Sequence, residues 1–86
     1  MNFISKIPDE VKCITIKANT KAVIDTKGLC CTLKPSDCDV FVKAKASEED
    51  ADAFIVRSGE SLDFCSSVTV FASSDTSVYC MFYNTL

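Results

Sequence analysis

Apolar and polar side chains alternate with a period of two along most of this chain, the mark of β-strands with one buried face. In residues 11–17 (VKCITIK), Ile14 and Ile16 share one face and Val11, Cys13 and Thr15 the other. Residues 20–28 (TKAVIDTKG) read as a second strand ending at Lys27-Gly28, where glycine supplies a positive φ without steric cost. Residues 29–33 (LCCTL) are a short apolar strand that stops at 34–37 (KPSD), with Pro35 suited to the first central position of a type I turn. Residues 38–46 (CDVFVKAKA) place Val40, Val42, Ala44 and Ala46 on one face and Phe41, Lys43 and Lys45 on the other.

The polar stretch 47–53 (SEEDADA) is expected to be a loop or a single helical turn, capped by Ser47 with Asp50 three residues on. Strand patterns at 54–57 (FIVR) and 61–65 (SLDFC) flank Ser58-Gly59-Glu60, which predicts a hairpin or a sharp corner. Residues 67–72 and 78–84, joined by 73–77 (SSDTS), read as a final hairpin. Seven or eight short strands without a long helix predict an all-β fold, a small antiparallel β-sandwich of jelly-roll-like or immunoglobulin-like type. Residues 1–86 form one domain, with 1–10 expected as an N-terminal arm. The expected core comprises Phe54, Val56, Leu62, Phe64, Val68, Val70, Val78, Cys80 and Phe82. Phe41, Phe71, Met81 and Tyr83 fall off that face and are the candidate interface.

At 86 residues the core is thin, so a partner or covalent help is expected to support it. Nine basic against twelve acidic residues give a net charge of −3, with lysines scattered among carboxylates. That pattern argues against a nucleic-acid partner, which calls for a concentrated basic face. The N-terminal residues lack the apolar stretch of a signal peptide and no segment reads as membrane-spanning, so synthesis in a cytoplasm and no membrane partner are expected. In that compartment the six cysteines are expected to be mostly reduced and buried, with some disulfides as the alternative and a metal site as the least favoured reading.

The chemistry-bearing residues do not assemble into a motif. The chain has no histidine, which removes the commonest general base and every Ser/His or Cys/His pair. Glu60 and Asp63 are the nearest carboxylate pair, yet residues three apart on a strand point to opposite faces. Cys30 and Cys31 are adjacent where zinc sites use spacings such as Cys-x2-Cys, and the acidic run at 48–52 lacks the glycine of a calcium loop. Two glycines cannot build a phosphate cradle. No enzyme, cofactor, metal or small-molecule ligand is expected, and the chain reads as a binding or structural module.

Residues 40–84 add a resemblance. A strand, a polar stretch, the run IVRSGESLDF (55–64), the strand SVTVFAS, a Ser/Asp turn and a closing aromatic strand are similar to the small accessory structural proteins of tailed-bacteriophage virions. Many of those proteins carry Pro or Ala where this chain has Ser58. The resemblance implies a β-sandwich that decorates or caps a capsid, or forms part of a head fibre or tail. It implies other virion proteins as partners, a homo-oligomer, location in the virion after synthesis in the host cytoplasm, and no catalytic residues. Gly59, Glu60 and Ser61 form its turn motif, with Gly59 making the turn and Glu60 and Ser61 placed to bond exposed backbone groups. Two other functions fit the same composition. One is an inhibitor that binds a host protein; the other is a carbohydrate-binding module using rings such as Phe41, Phe71 and Tyr83.

Overall fold

A computed structural model describes residues 10–83, and all but the last residue of the arm expected at 1–10 lies outside them. The described residues form eight strands: β1 (Glu10–Ile16), β2 (Lys21–Ile24), β3 (Cys30–Pro35), β4 (Val40–Ala44), β5 (Phe54–Val56), β6 (Leu62–Phe64), β7 (Val68–Phe71) and β8 (Thr76–Tyr83). Glu10 thus begins the first strand, one residue earlier than the sequence pattern suggests. The only helical turn among the described residues is a 3-10 turn at Asp50–Asp52.

Two four-stranded antiparallel sheets face each other, in the orders β1-β8-β3-β6 and β2-β7-β4-β5. The pairs β4–β5, β3–β6, β2–β7 and β1–β8 nest inside one another along the chain. This is one long antiparallel ribbon, folded at residues 45–53 and then rolled so that successive pairs alternate between sheets. β3–β8 and β4–β7 contacts close the roll. The topology is a jelly roll, which selects the first of the two sandwich types expected from the sequence.

The roll explains the punctuation. Among the described residues every positive-φ residue sits at a corner where the chain changes sheet: Asn19 (φ 61°), Lys27 (52°), Gly28 (82°) and Gly59 (89°). Lys27 and Gly28 make a tight turn closed by the Leu29 N–H on the Thr26 carbonyl at 2.9 Å, and the Asp25 carboxylate accepts from Lys27 N–H. Gly59 is the third residue of a turn closed by Glu60 N–H on Arg57 carbonyl at 2.9 Å, the type II geometry that demands positive φ there. A Cβ at Gly59 meets nothing within 4 Å, so backbone strain alone opposes one. Gly59→Ala is therefore expected to cost about 1 kcal/mol, read as a lower urea midpoint with an unchanged slope. An unaltered midpoint would mean that the corner tolerates a side chain.

The expected final hairpin is a corner instead, and of the two readings of residues 54–65 it is the corner that forms. β5 and β6 lie in different sheets, as do β7 and β8, and among the described residues only β4–β5 pairs as consecutive strands. Pro35 ends β3, buried opposite Val78, instead of opening a turn. Ser47 caps no helix; its hydroxyl donates to the Asp52 carboxylate at 2.7 Å.

The core lies between the sheets. Ile16, Ile24, Cys31, Leu33, Val40, Val42, Val56, Val68, Val70, Val78, Cys80 and Phe82 are buried in it, with Leu62 and Phe64 packed at its margin. Phe54 is the exception among the expected core residues. It has inward parity, opposite Val42, but β5 is an edge strand and the ring remains 49% exposed. Ala44 and Ala46 are exposed for the related reason that β4 ends at Ala44 as the chain enters the loop.

Candidate functional site

Alternation on β4 and β7 drives two phenyl rings outward. Phe41 sits between fully buried Val40 and Val42, and Phe71 between buried Val70 and Ala72. Register places Phe41 directly opposite Phe71 and also opposite Ile55, and sets Lys21 opposite Phe71. The row Lys21–Phe71–Phe41–Ile55 thus crosses the outer face of the sheet from edge to edge. The two rings stack with centroids 5.5 Å apart and planes 19° apart. The Lys21 ammonium lies 5.7 Å from the centre of the Phe71 ring, within cation–π range. Val23 and Ile55 add exposed apolar surface on this face, and Phe54 adds more at the β5 edge.

Asp50 closes the row from above. Its carboxylate accepts from Lys21 Nζ at 2.6 Å and from Lys43 Nζ at 2.9 Å. Lys43 points to the outer face, as its parity requires, yet is only 5% exposed. A cleft of about 350 Å³ opens beside this bridge, lined by Asn19, Thr20, Lys21, Phe41, Asp50 and Phe71 among others. Hydrogen bonds from Lys21 and then Lys43 hold the Asp50 carboxyl below its ordinary range. A group lowered on folding stabilises above its unfolded pKa and loses that contribution as pH falls through the folded value. The bridge is thus intact at neutral pH and breaks only on strong acidification.

Removing one partner from a buried ammonium leaves it uncompensated, whereas removing both charges does not. Asp50→Asn is accordingly expected to lower the urea midpoint, and adding Lys43→Met to restore much of the loss. If the single variant unfolds at the wild-type midpoint, water already satisfies Lys43.

The four candidate interface residues divide between the faces of the sandwich. Phe41 and Phe71 come together as described. Met81 and Tyr83 are half-buried on β8, in the other sheet, where Met81 lies opposite Val11 and Thr32, and Tyr83 opposite Cys30. The four therefore do not form one patch, because β7 and β8 belong to different sheets, and a single sheet face can include only some of them. Tyr83 instead borders a second opening of about 430 Å³ with Cys30, Cys65, Thr32 and Asp63.

The turn motif is built for structure. The Glu60 carboxylate accepts from the Arg57 N–H at 3.0 Å across the Gly59 corner, and the Asp39 carboxylate accepts from the Ser58 N–H at 2.9 Å. Ser61 is exposed beside them. Asp63, once paired in sequence with Glu60, accepts from the Thr32 hydroxyl at 2.6 Å on the opposite strand.

Four of the six cysteines are free, in line with mostly reduced thiols, but fewer of them are buried than expected and two are bonded. Cys31 and Cys80 are free and buried, and the hydrogen bond with Cys31, followed by burial, pushes the Cys80 thiol up. Cys13 is free and exposed, Cys38 free and partly exposed. Cys30 and Cys65 form a disulfide with Cα atoms 4.2 Å apart. Antiparallel register produces it: Cys31 pairs with Phe64, so the next position outward sets Cys30 against Cys65. Among the described residues no three of His, Cys, Asp or Glu gather as a metal site, and no helix is long and apolar enough to cross a membrane.

Sequence alone signalled the outward rings but not the Lys21–Asp50–Lys43 bridge. Its members are separated by up to 29 residues and meet only because the roll brings β2 close to the loop after β4. Comparison with family models, with curated proteins and with solved structures yields no match to this chain.

Proposed function

We propose that this chain is a non-enzymatic structural component of a tailed-bacteriophage virion, docking onto capsid or tail proteins through the outer face of the β2-β7-β4-β5 sheet. One observation carries the docking face: Val23, Phe71, Phe41 and Ile55 present adjoining apolar surface on a sheet whose other side already builds the core. Fold stability therefore does not require those side chains outside, and clustered exposed apolar surface commonly marks an interface. The jelly roll adds support by analogy of fold only, since capsid domains use it among many others. On this reading the partners are virion proteins and further copies of the chain, without nucleic acid or membrane, and the location is the virion after synthesis in the host cytoplasm.

Mass spectrometry of purified particles is expected to find the chain in many copies. Phe41→Asp, which alters an exposed ring, is expected to leave the fold intact by circular dichroism and to abolish incorporation. A chain absent from particles, or a folded Phe41→Asp variant that incorporates normally, would overturn the reading.

The stacked rings favour one second reading, a glycan-binding module, because a sugar ring stacks on aromatic faces while carboxylate and ammonium groups bond its hydroxyls. Isothermal titration with surface oligosaccharides of the host decides it, binding that is lost in Phe41→Asp being the supporting result.

A further inference from the structure

The four edge strands of the sandwich are guarded unequally. β2, β5 and β6 have four, three and three residues, and very short edges resist pairing with another chain. β1 has seven, paired to β8 residue for residue from Glu10 to Ile16 without a bulge or proline. Among the described residues nothing pairs with its other edge, so it carries a row of free backbone N–H and C=O groups. Its outward side chains are Val11 (56% exposed), Cys13 and Thr15, all small enough to lie flat beside a neighbour.

We infer that β1 is a homodimer seam, pairing antiparallel with β1 of a second copy about a two-fold axis at Cys13. The two four-stranded sheets then join into one of eight strands. The register follows from the sequence of the strand. Continuity of the inner and outer faces allows only shifts of two residues. An axis at Cys13 pairs all seven residues, setting Val11 against Thr15 of the second copy and Cys13 against Cys13. An axis at Lys12 opposes two ammonium groups directly, which destabilises a sheet pair. Axes at Val11 or Ile14 leave part of the strand unpaired. With the axis at Cys13, Glu10 meets Ile16 and Lys12 meets Ile14. Each Lys12 keeps its own counter-ion, Glu10, at 3.4 Å, so no net charge gathers at the seam. The self-complementarity favours a second copy over a foreign strand. This inference stands on the β1 edge and not on the particle reading, and it is tested without particles.

The full chain, carrying Cys38→Ser to remove the other accessible thiol, is expected to sediment as a dimer at micromolar concentration. Diamide, which takes two electrons and two protons from a pair of thiols, is expected to link Cys13 to Cys13, giving a band of twice the mass that reductant removes. Cys13→Ser should lose the link and remain dimeric. Cys13→Lys and Cys13→Glu each oppose like charges at the axis and should be folded monomers. Mixing those two variants should restore dimers, a result that a folding defect does not produce. A monomer at every concentration, even with protected β1 edge amides (residues 1–9 or another segment then covering the edge), would overturn the inference. So would a dimer that the charged variants and their mixture leave unchanged.

Discussion

Leu33→Ala is expected to destabilise the domain by about 2–5 kcal/mol, the range for emptying a fully buried leucine site. Leu33 is wholly inaccessible, at the centre of the β1-β8-β3-β6 sheet, in register with Cys80 on one side and Leu62 on the other. Those neighbours are fixed by backbone ladders and cannot close inward without breaking them, so most of the vacated volume persists as a cavity. At about 0.05–0.15 kcal/mol per residue, a chain of this length has roughly 4–13 kcal/mol in all. The loss is thus a large part of the total, and partial unfolding at room temperature is an expected outcome. Lys34→Ala, one residue along and exposed, is the control and should shift stability by no more than about 0.5 kcal/mol. Urea titration reads both. Equal midpoints for the two variants would place the core elsewhere.

Reduction of the Cys30–Cys65 disulfide should have an effect of similar size. The bond joins residues 35 apart, and the loop-entropy relation gives about 4 kcal/mol for closing a loop of that length. It also fastens β6, an edge strand held by three residue pairs to β3. For a domain this small the melting temperature should fall by about 15–30 °C on adding reductant, and Cys30→Ser should match the reduced protein. Thiol titration after denaturation without reductant should count four groups. Six thiols, or a melting temperature indifferent to reductant, would show that the two sulfurs are unbonded. Because reduction loosens the β3–β6 edge and not β1, this measurement is independent of the proposed dimer seam.

These two sites show how far the linear pattern reaches. Leu33 does not stand out in the sequence, because LCCTL is nearly all apolar and such a run does not say which parity faces inward. Where apolar and polar positions alternate cleanly, as in residues 67–72 and 78–83, the buried set Val68, Val70, Val78, Cys80 and Phe82 is legible directly. Phe54 misled for a physical reason: parity gives the direction of a side chain, and an edge position decides whether anything covers it. Cys30 and Cys65 likewise looked like separate apolar positions until register set them face to face.

The candidate site divides in the same way. The outward direction of Phe41 and Phe71 follows from their buried neighbours in the chain, a local property. Their stacking, the Asp50 bridge and the burial of Lys43 depend on strand order, and strand order is a contest among long-range pairings that alternation leaves nearly equal. Met81 and Tyr83 share the outward parity of Phe71, yet the corner between β7 and β8 sends them to the opposite face. By itself the sequence determined the all-β class, the Gly28 and Gly59 corners and most of which side chains turn inward, because sterics and a period of two act between near neighbours. Only the tertiary structure decided the jelly-roll wrap, the disulfide and the membership of each face, because those depend on which distant strands lie side by side.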